Sequence, residues 1–65
     1  MAEKYLITDS KSEFYLKKSL FKGYEITNKT VDALKCNTEE EARKHIEKQN
    51  AFDPKSLTIE KVIFH

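Results

Sequence analysis

The sequence predicts a small α+β domain. It has an antiparallel three-stranded meander, one helix packed on one face, and a C-terminal fourth strand, in the order β-β-β-α-β. Three observations predict it. Short runs rich in β-branched and aromatic residues recur along the chain and are separated by polar turns. The stretch with a clear helix start, Thr38 onward, falls between the third and fourth of these runs. Glycine and proline occur once each while seven residues are aromatic, a composition unlike that of a disordered linker.

Tyr5-Leu6-Ile7-Thr8 reads as the first strand, ended by the polar turn Asp9-Ser10-Lys11-Ser12. Glu13 to Lys18 then alternates, with Phe14 and Leu16 on one side and Tyr15 and Lys17 on the other, as in a half-buried strand hairpinned to the first. Ser19-Leu20-Phe21-Lys22-Gly23 connects it to the next strand. Gly23, the only glycine, can take the positive φ of a tight connection. Tyr24-Glu25-Ile26-Thr27 is the third strand, with Tyr24 and Ile26 inward. Thr30 can cap a single helical turn over Val31–Leu34. Leu34 and Cys36 then fall at the seam between sheet and helix.

The stretch Asn37–Asn50 carries the helix. Thr38 and Glu41 form the Ser/Thr-x-x-Glu capping box, which satisfies two orphan amides of the first turn. Glu39, Glu40 and Glu41 suit the positive end of the helix dipole, and Lys48 the negative end. Ala42 and Ile46 share a face flanked by His45 and Gln49. That face is narrow, so the helix must lie on a sheet to be stable. Asn50 is expected as a left-handed cap, with Ala51-Phe52 folding back and Asp53-Pro54-Lys55-Ser56 turning the chain. Leu57–Phe64 is the fourth strand. Leu57, Ile59 and Ile63 point one way, interrupted by Lys61, and Val62 and Phe64 point the other.

A helix crossing one face of the meander returns strand four beside strand one. The right-handed crossover rule then favours a parallel pair, in the spatial order 4-1-2-3. The expected core is Ile7, Phe14, Leu16, Ile26, Leu34, Ala42, Ile46, Ile59 and Ile63. Leu6, Tyr15, Val62 and Phe64 would line a second face that no second helix covers.

The succession Lys4-Tyr5-Leu6-Ile7, Phe14-Tyr15-Leu16-Lys17, Tyr24-Glu25-Ile26-Thr27, Asp32-Ala33-Leu34-Lys35-Cys36, Thr38-Glu39-Glu40-Glu41-Ala42 and Ile59-Glu60-Lys61-Val62-Ile63-Phe64 resembles small uncharacterised proteins of Gram-positive bacteria and their phages. It covers most of the chain, but the motifs are structural ones. The resemblance implies an α+β fold and a phage or prophage origin. It supplies no activity and no site residues.

Length and charge narrow the function classes. A chain of 65 residues is a single domain, residues 1–65, with a marginal core that sharing a face with a partner would help. Residues 1–36 carry seven lysines against five acids, and residues 37–65 five basic residues against six acids, so neither half has the basic excess of a dedicated DNA-binding domain. The single cysteine fits a reducing compartment. No apolar run reads as a secretory leader or a membrane span, so the expectation is a cytoplasmic protein acting away from membranes.

Cys36, Glu41, His45 and His65 are the residues of metal-ligating type near a cluster, but no Cys-x-x-Cys or His-x-x-x-His spacing occurs. No metal or other cofactor is expected. Glu41 and His45 share a helix face as an ordinary surface pair would, and Cys36 reads as packing. The three consecutive glutamates point in different directions and are explained by the helix dipole. One glycine allows no phosphate-binding loop. The expectation is a non-enzyme without catalytic residues.

Lys17-Lys18-Ser19-Leu20-Phe21-Lys22-Gly23-Tyr24 is the sharper feature, because Leu20 and Phe21 are bulky apolar residues in a connection where polar ones are usual. Either the pair closes the core beneath the sheet edge, or it is an exposed anchor. Aromatic anchors inside a charged rim are typical of interface hot spots. The leading functional reading is a small protein-binding module, phage- or prophage-encoded and acting on a host protein, with Lys17, Lys18, Leu20, Phe21 and Lys22 as the contact. One alternative is a weak single-stranded nucleic-acid binder that stacks Phe21 on bases and sets lysines on phosphates. The other is a structural homodimer or assembly subunit with Val62 and Phe64 at the contact. Tyr5, Tyr15 and Tyr24 invite comparison with a base-stacking sheet, but strand parity does not place them on one face.

Overall fold

The computed structural model describes residues 2–9, 11, 13–19, 21, 23–50 and 52–64. The expected turn residues Ser10 and Ser12, the connection residues Leu20 and Lys22, Ala51 beyond the helix, and His65 lie outside the described residues. Strands β1 (Ala2–Asp9), β2 (Tyr15–Ser19) and β3 (Gly23–Thr27) precede helix α1 (Glu39–Lys48). A short 3-10 turn, Pro54–Ser56, leads into β4 (Leu57–Phe64). The sheet order is β3-β2-β1-β4, and every neighbouring pair is antiparallel. This is the α+β class and the spatial order that the sequence predicts.

The direction of β4 differs from the expectation: it runs antiparallel to β1, from Asp9↔Leu57 to Ala2↔Phe64. The physical reason is an extra pass of chain. β1 and β2 meet only at Thr8↔Tyr15 and then diverge. The segment after β3 fills the gap between them. Leu34 N donates to Leu16 O at 3.0 Å, and Cys36 exchanges two backbone hydrogen bonds with Tyr5, at 2.8 and 3.0 Å. These bonds satisfy backbone groups that the splayed strands would leave unpaired in the interior. The chain thus descends from the end of β3 in extended form, ascends as α1, and descends again as β4. The crossover rule governs parallel strands joined in one pass and does not apply to this path.

Local chemistry closes each connection. The Asp9 carboxylate accepts from Glu13 N at 2.7 Å and Phe14 N at 3.3 Å, which holds the β1–β2 turn. Gly23 opens β3 with φ 77, the positive value that the β2–β3 connection requires. Thr38 caps α1, its Oγ1 accepting from Glu41 N at 3.1 Å. Glu41 reaches back to Asn37 N rather than to the cap's own amide. The helix ends at Gln49, in extended conformation, in place of the expected left-handed Asn50. The buried Gln49 amide bonds Phe52 N at 2.9 Å and Phe52 O at 2.8 Å, folding the chain back as anticipated.

The core lies between α1 and the sheet. Ile7, Leu16, Cys36, Ala42 and Leu57 are buried together, with Tyr5, Tyr24, Leu34, Ile46, Phe52 and Ile59 packed around them. Phe14 packs against Phe52 with the rings tilted by 39° and their centroids 5.9 Å apart. Three expected core residues are not in that cluster: Phe14, half-buried, reaches only its margin through Phe52, while Ile26, on the edge strand β3, and Ile63, near the end of edge strand β4, are each 48% exposed. The helix packs over β1 and β4, so its cover does not reach Ile26. The opposite face is better covered than expected. Leu6 and Thr8 are fully buried there, and Lys35 sets its Nζ 5.3 Å from the Phe64 ring centroid, placing the turn before it on the same side. No described helix is long and apolar enough to cross a membrane.

Candidate functional site

The β2–β3 hairpin carries the residues that the sequence singles out. Lys17 pairs across the ladder with Glu25, and Lys18 with Tyr24. Successive residues of a strand point to opposite faces, so these two pairs lie on opposite sides of the sheet. Lys17 Nζ lies 3.8 Å from the Glu25 carboxylate, and Lys18 Nζ lies 5.9 Å from the Tyr24 ring centroid. The two lysines therefore do not form one basic stripe. Between the strands, Phe21 is 95% exposed, its amide bonded to Ser19 Oγ at 3.3 Å. For Phe21 this excludes the reading in which the residue closes the core.

The three tyrosines divide between the faces. Tyr5 and Tyr24 pack against the core beneath the helix. Tyr15 pairs with Thr8 and faces away from it. They do not form a stacking platform. Of the residues expected at a dimer contact, Val62 and Phe64 are half-buried, and Phe64 lies beneath Lys35. Ile63, on the other face, is the more exposed residue of that strand's end.

The fold also brings together Cys36, Glu41 and His45. One ligand-type atom from each lies within 4.8 Å of the others. Glu41 and His45 are four apart on α1 and share a face. Cys36 reaches them because the segment between β1 and β2 places it beside Tyr5, on the helix side of the sheet. His45 Nδ1 shares a hydrogen bond of 2.8 Å with the Tyr24 hydroxyl, and the two rings meet edge to face. Burial raises the Cys36 thiol above its ordinary pKa, and the Glu41 charge adds to the rise. Burial lowers His45, helped by the charges of Lys18 and Lys48 and opposed by Glu41. The neutral forms of both side chains are therefore favoured. The helical spacing of Glu41 and His45 was visible in the sequence. The sequence also puts Cys36 at the seam between sheet and helix, but the distance at which it meets Glu41 and His45 depends on the splayed strands.

Comparison with protein-family models finds no match. Neither the curated proteins nor the solved structures compared with this chain match it either.

Proposed function

We propose that this chain is a small non-catalytic protein-binding module whose contact is the tip of the β2–β3 hairpin. The observation that carries the reading is the 95% exposure of Phe21. Burying a Phe side chain is worth about 1.5–3 kcal/mol, and a 65-residue domain with a small core gains from every such burial. Phe21 instead stands in solvent on a hairpin whose Lys18 is also exposed, a composition suited to an apolar pocket with an acidic rim on a partner protein. The partner proposed is a host protein, as the phage or prophage origin that the sequence resemblance implies would have it. The buried thiol supports a reducing, cytoplasmic setting.

The test is capture of partners from a Gram-positive lysate with the immobilised chain, compared with Phe21→Ser. The variant should melt within a few degrees of the parent, because so little of the side chain is covered, and should lose the captured protein. Equal capture by both forms would overturn the reading. Salt-dependent binding to mixed oligonucleotides, lost when Lys17, Lys18 and Lys22 become Gln, would establish the nucleic-acid alternative instead.

A further inference from the structure

We propose that Cys36, Glu41 and His45 form a binding site for a divalent transition-metal ion of the zinc class. The inference is independent of the hairpin reading. The three side chains supply one sulfur, one oxygen and one nitrogen ligand, and their ligand atoms lie within 4.8 Å of one another. With zinc–ligand bonds of about 2.0–2.3 Å, tetrahedral ligand atoms stand roughly 3.5 Å apart. Closing the site therefore takes side-chain shifts on the order of 1 Å.

Each ligand is held from outside. The Cys36 backbone is tied to Tyr5 through both its C=O and its N–H, at 2.8 and 3.0 Å, so the sulfur hangs from a firmly anchored backbone. Asn37 N holds Glu41 Oε2 at 3.1 Å and leaves the other carboxylate oxygen to bind. The Tyr24 hydroxyl, 2.8 Å from His45 Nδ1, orients the imidazole. Supports of this kind accompany ligands in metal sites and typically govern affinity by about 10–100-fold.

The ligand chemistry selects the ion. Thiolate and imidazole favour zinc-class ions over calcium or magnesium, which prefer oxygen. On coordination the thiol releases its proton to solvent as the metal–sulfur bond forms. One thiolate and one carboxylate then balance a divalent charge. Glu41 and His45 are only half-buried, so a fourth position is open to water, as in three-ligand zinc sites.

The probe is cobalt(II), titrated anaerobically into the reduced 65-residue chain. A thiolate-to-cobalt charge-transfer band and strong visible bands should saturate at one equivalent and disappear when zinc is added. His45→Gln and Glu41→Gln should each weaken cobalt binding at least tenfold, and Tyr24→Phe roughly tenfold. Cys36→Ser should abolish the charge-transfer band. Because that position is buried, the half-buried His45 and Glu41 variants carry the test if the serine variant does not fold. Zinc at a hundredfold excess over its dissociation constant should raise the parent's melting temperature by roughly 10 °C or more. The absence of a charge-transfer band at millimolar cobalt would overturn the proposal. So would a band unchanged in both His45→Gln and Glu41→Gln, which would report a lone thiol.

Discussion

Leu16 and Ile26 are direct cross-strand partners on one face of the sheet, and the sequence assigns both to the core. The fold buries Leu16 and leaves Ile26 48% exposed. Replacing each with Ala tests whether the chain between β1 and β2 and the off-centre helix create that asymmetry. Leu16 packs in one cluster with Ile7, Cys36, Ala42 and Leu57, so Leu16→Ala leaves a cavity and should cost about 2–5 kcal/mol. Ile26 keeps about half of its surface in water. Full burial of such a side chain is worth about 1.5–3 kcal/mol, so Ile26→Ala should cost roughly 1. A chain of 65 residues has a total stability of about 3–10 kcal/mol, so the first change takes a large share of it and the second does not. Urea titrations followed by circular dichroism would read the two costs as shifts in midpoint at constant slope. Equal costs, or a larger cost at Ile26, would show that the helix covers β3 and would refute a core centred on β1 and Leu16.

Two further outcomes follow from the turns and caps. Thr38→Ala removes the oxygen that accepts from Glu41 N, and should cost about 0.5–2 kcal/mol in the same urea assay, while Thr38→Ser should restore most of it. Asp9 is pulled two ways. Desolvation raises its pKa, but the amides of Phe14, Glu13 and Lys11 and the Thr8 hydroxyl together lower it below the ordinary 3.8. A carboxylate lowered on folding adds stability above its unfolded value and loses it as pH falls through the folded one. The stability advantage of the parent over Asp9→Asn should therefore be present near neutrality and shrink below pH 3.8, and melting temperatures of both forms across that range would check it.

What the sequence makes legible is what local signals encode. Thr38 and Glu41 mark the helix start through side-chain geometry that needs no tertiary partner, and the helix begins there. Gly23 marks the tight connection because positive φ is costly for other residues. Phe21 stood out as a large aromatic in a turn, and it is the most exposed large apolar side chain among the described residues. What was not legible is non-local. β1 has eight residues and β2 has five, and nothing in either run says that they part after Thr8↔Tyr15. Leu34-Lys35-Cys36 carries no strand signature of its own. It is drawn into the gap by the unpaired backbone of Leu16 and Tyr5. That one insertion reverses β4, brings Cys36 to Glu41 and His45, and helps to leave Ile26 at an uncovered edge.

Tyr24 links the two candidate sites. It directly follows Gly23, at the base of the exposed tip, and its ring lies beneath Lys18. Its hydroxyl reaches His45 on the helix. The helix packs mainly over β1 and β4, so this bond is a direct tie between α1 and the edge strand that carries the tip. An ion that draws His45 toward Cys36 acts on the same hydroxyl that ties the helix to β3. Tyr24→Phe keeps the ring in the core while removing the hydrogen bond, so it separates packing from orientation. Loss of metal affinity in that variant with unchanged stability assigns the hydroxyl to positioning His45. Loss of partner capture as well assigns it to holding the tip that presents Phe21.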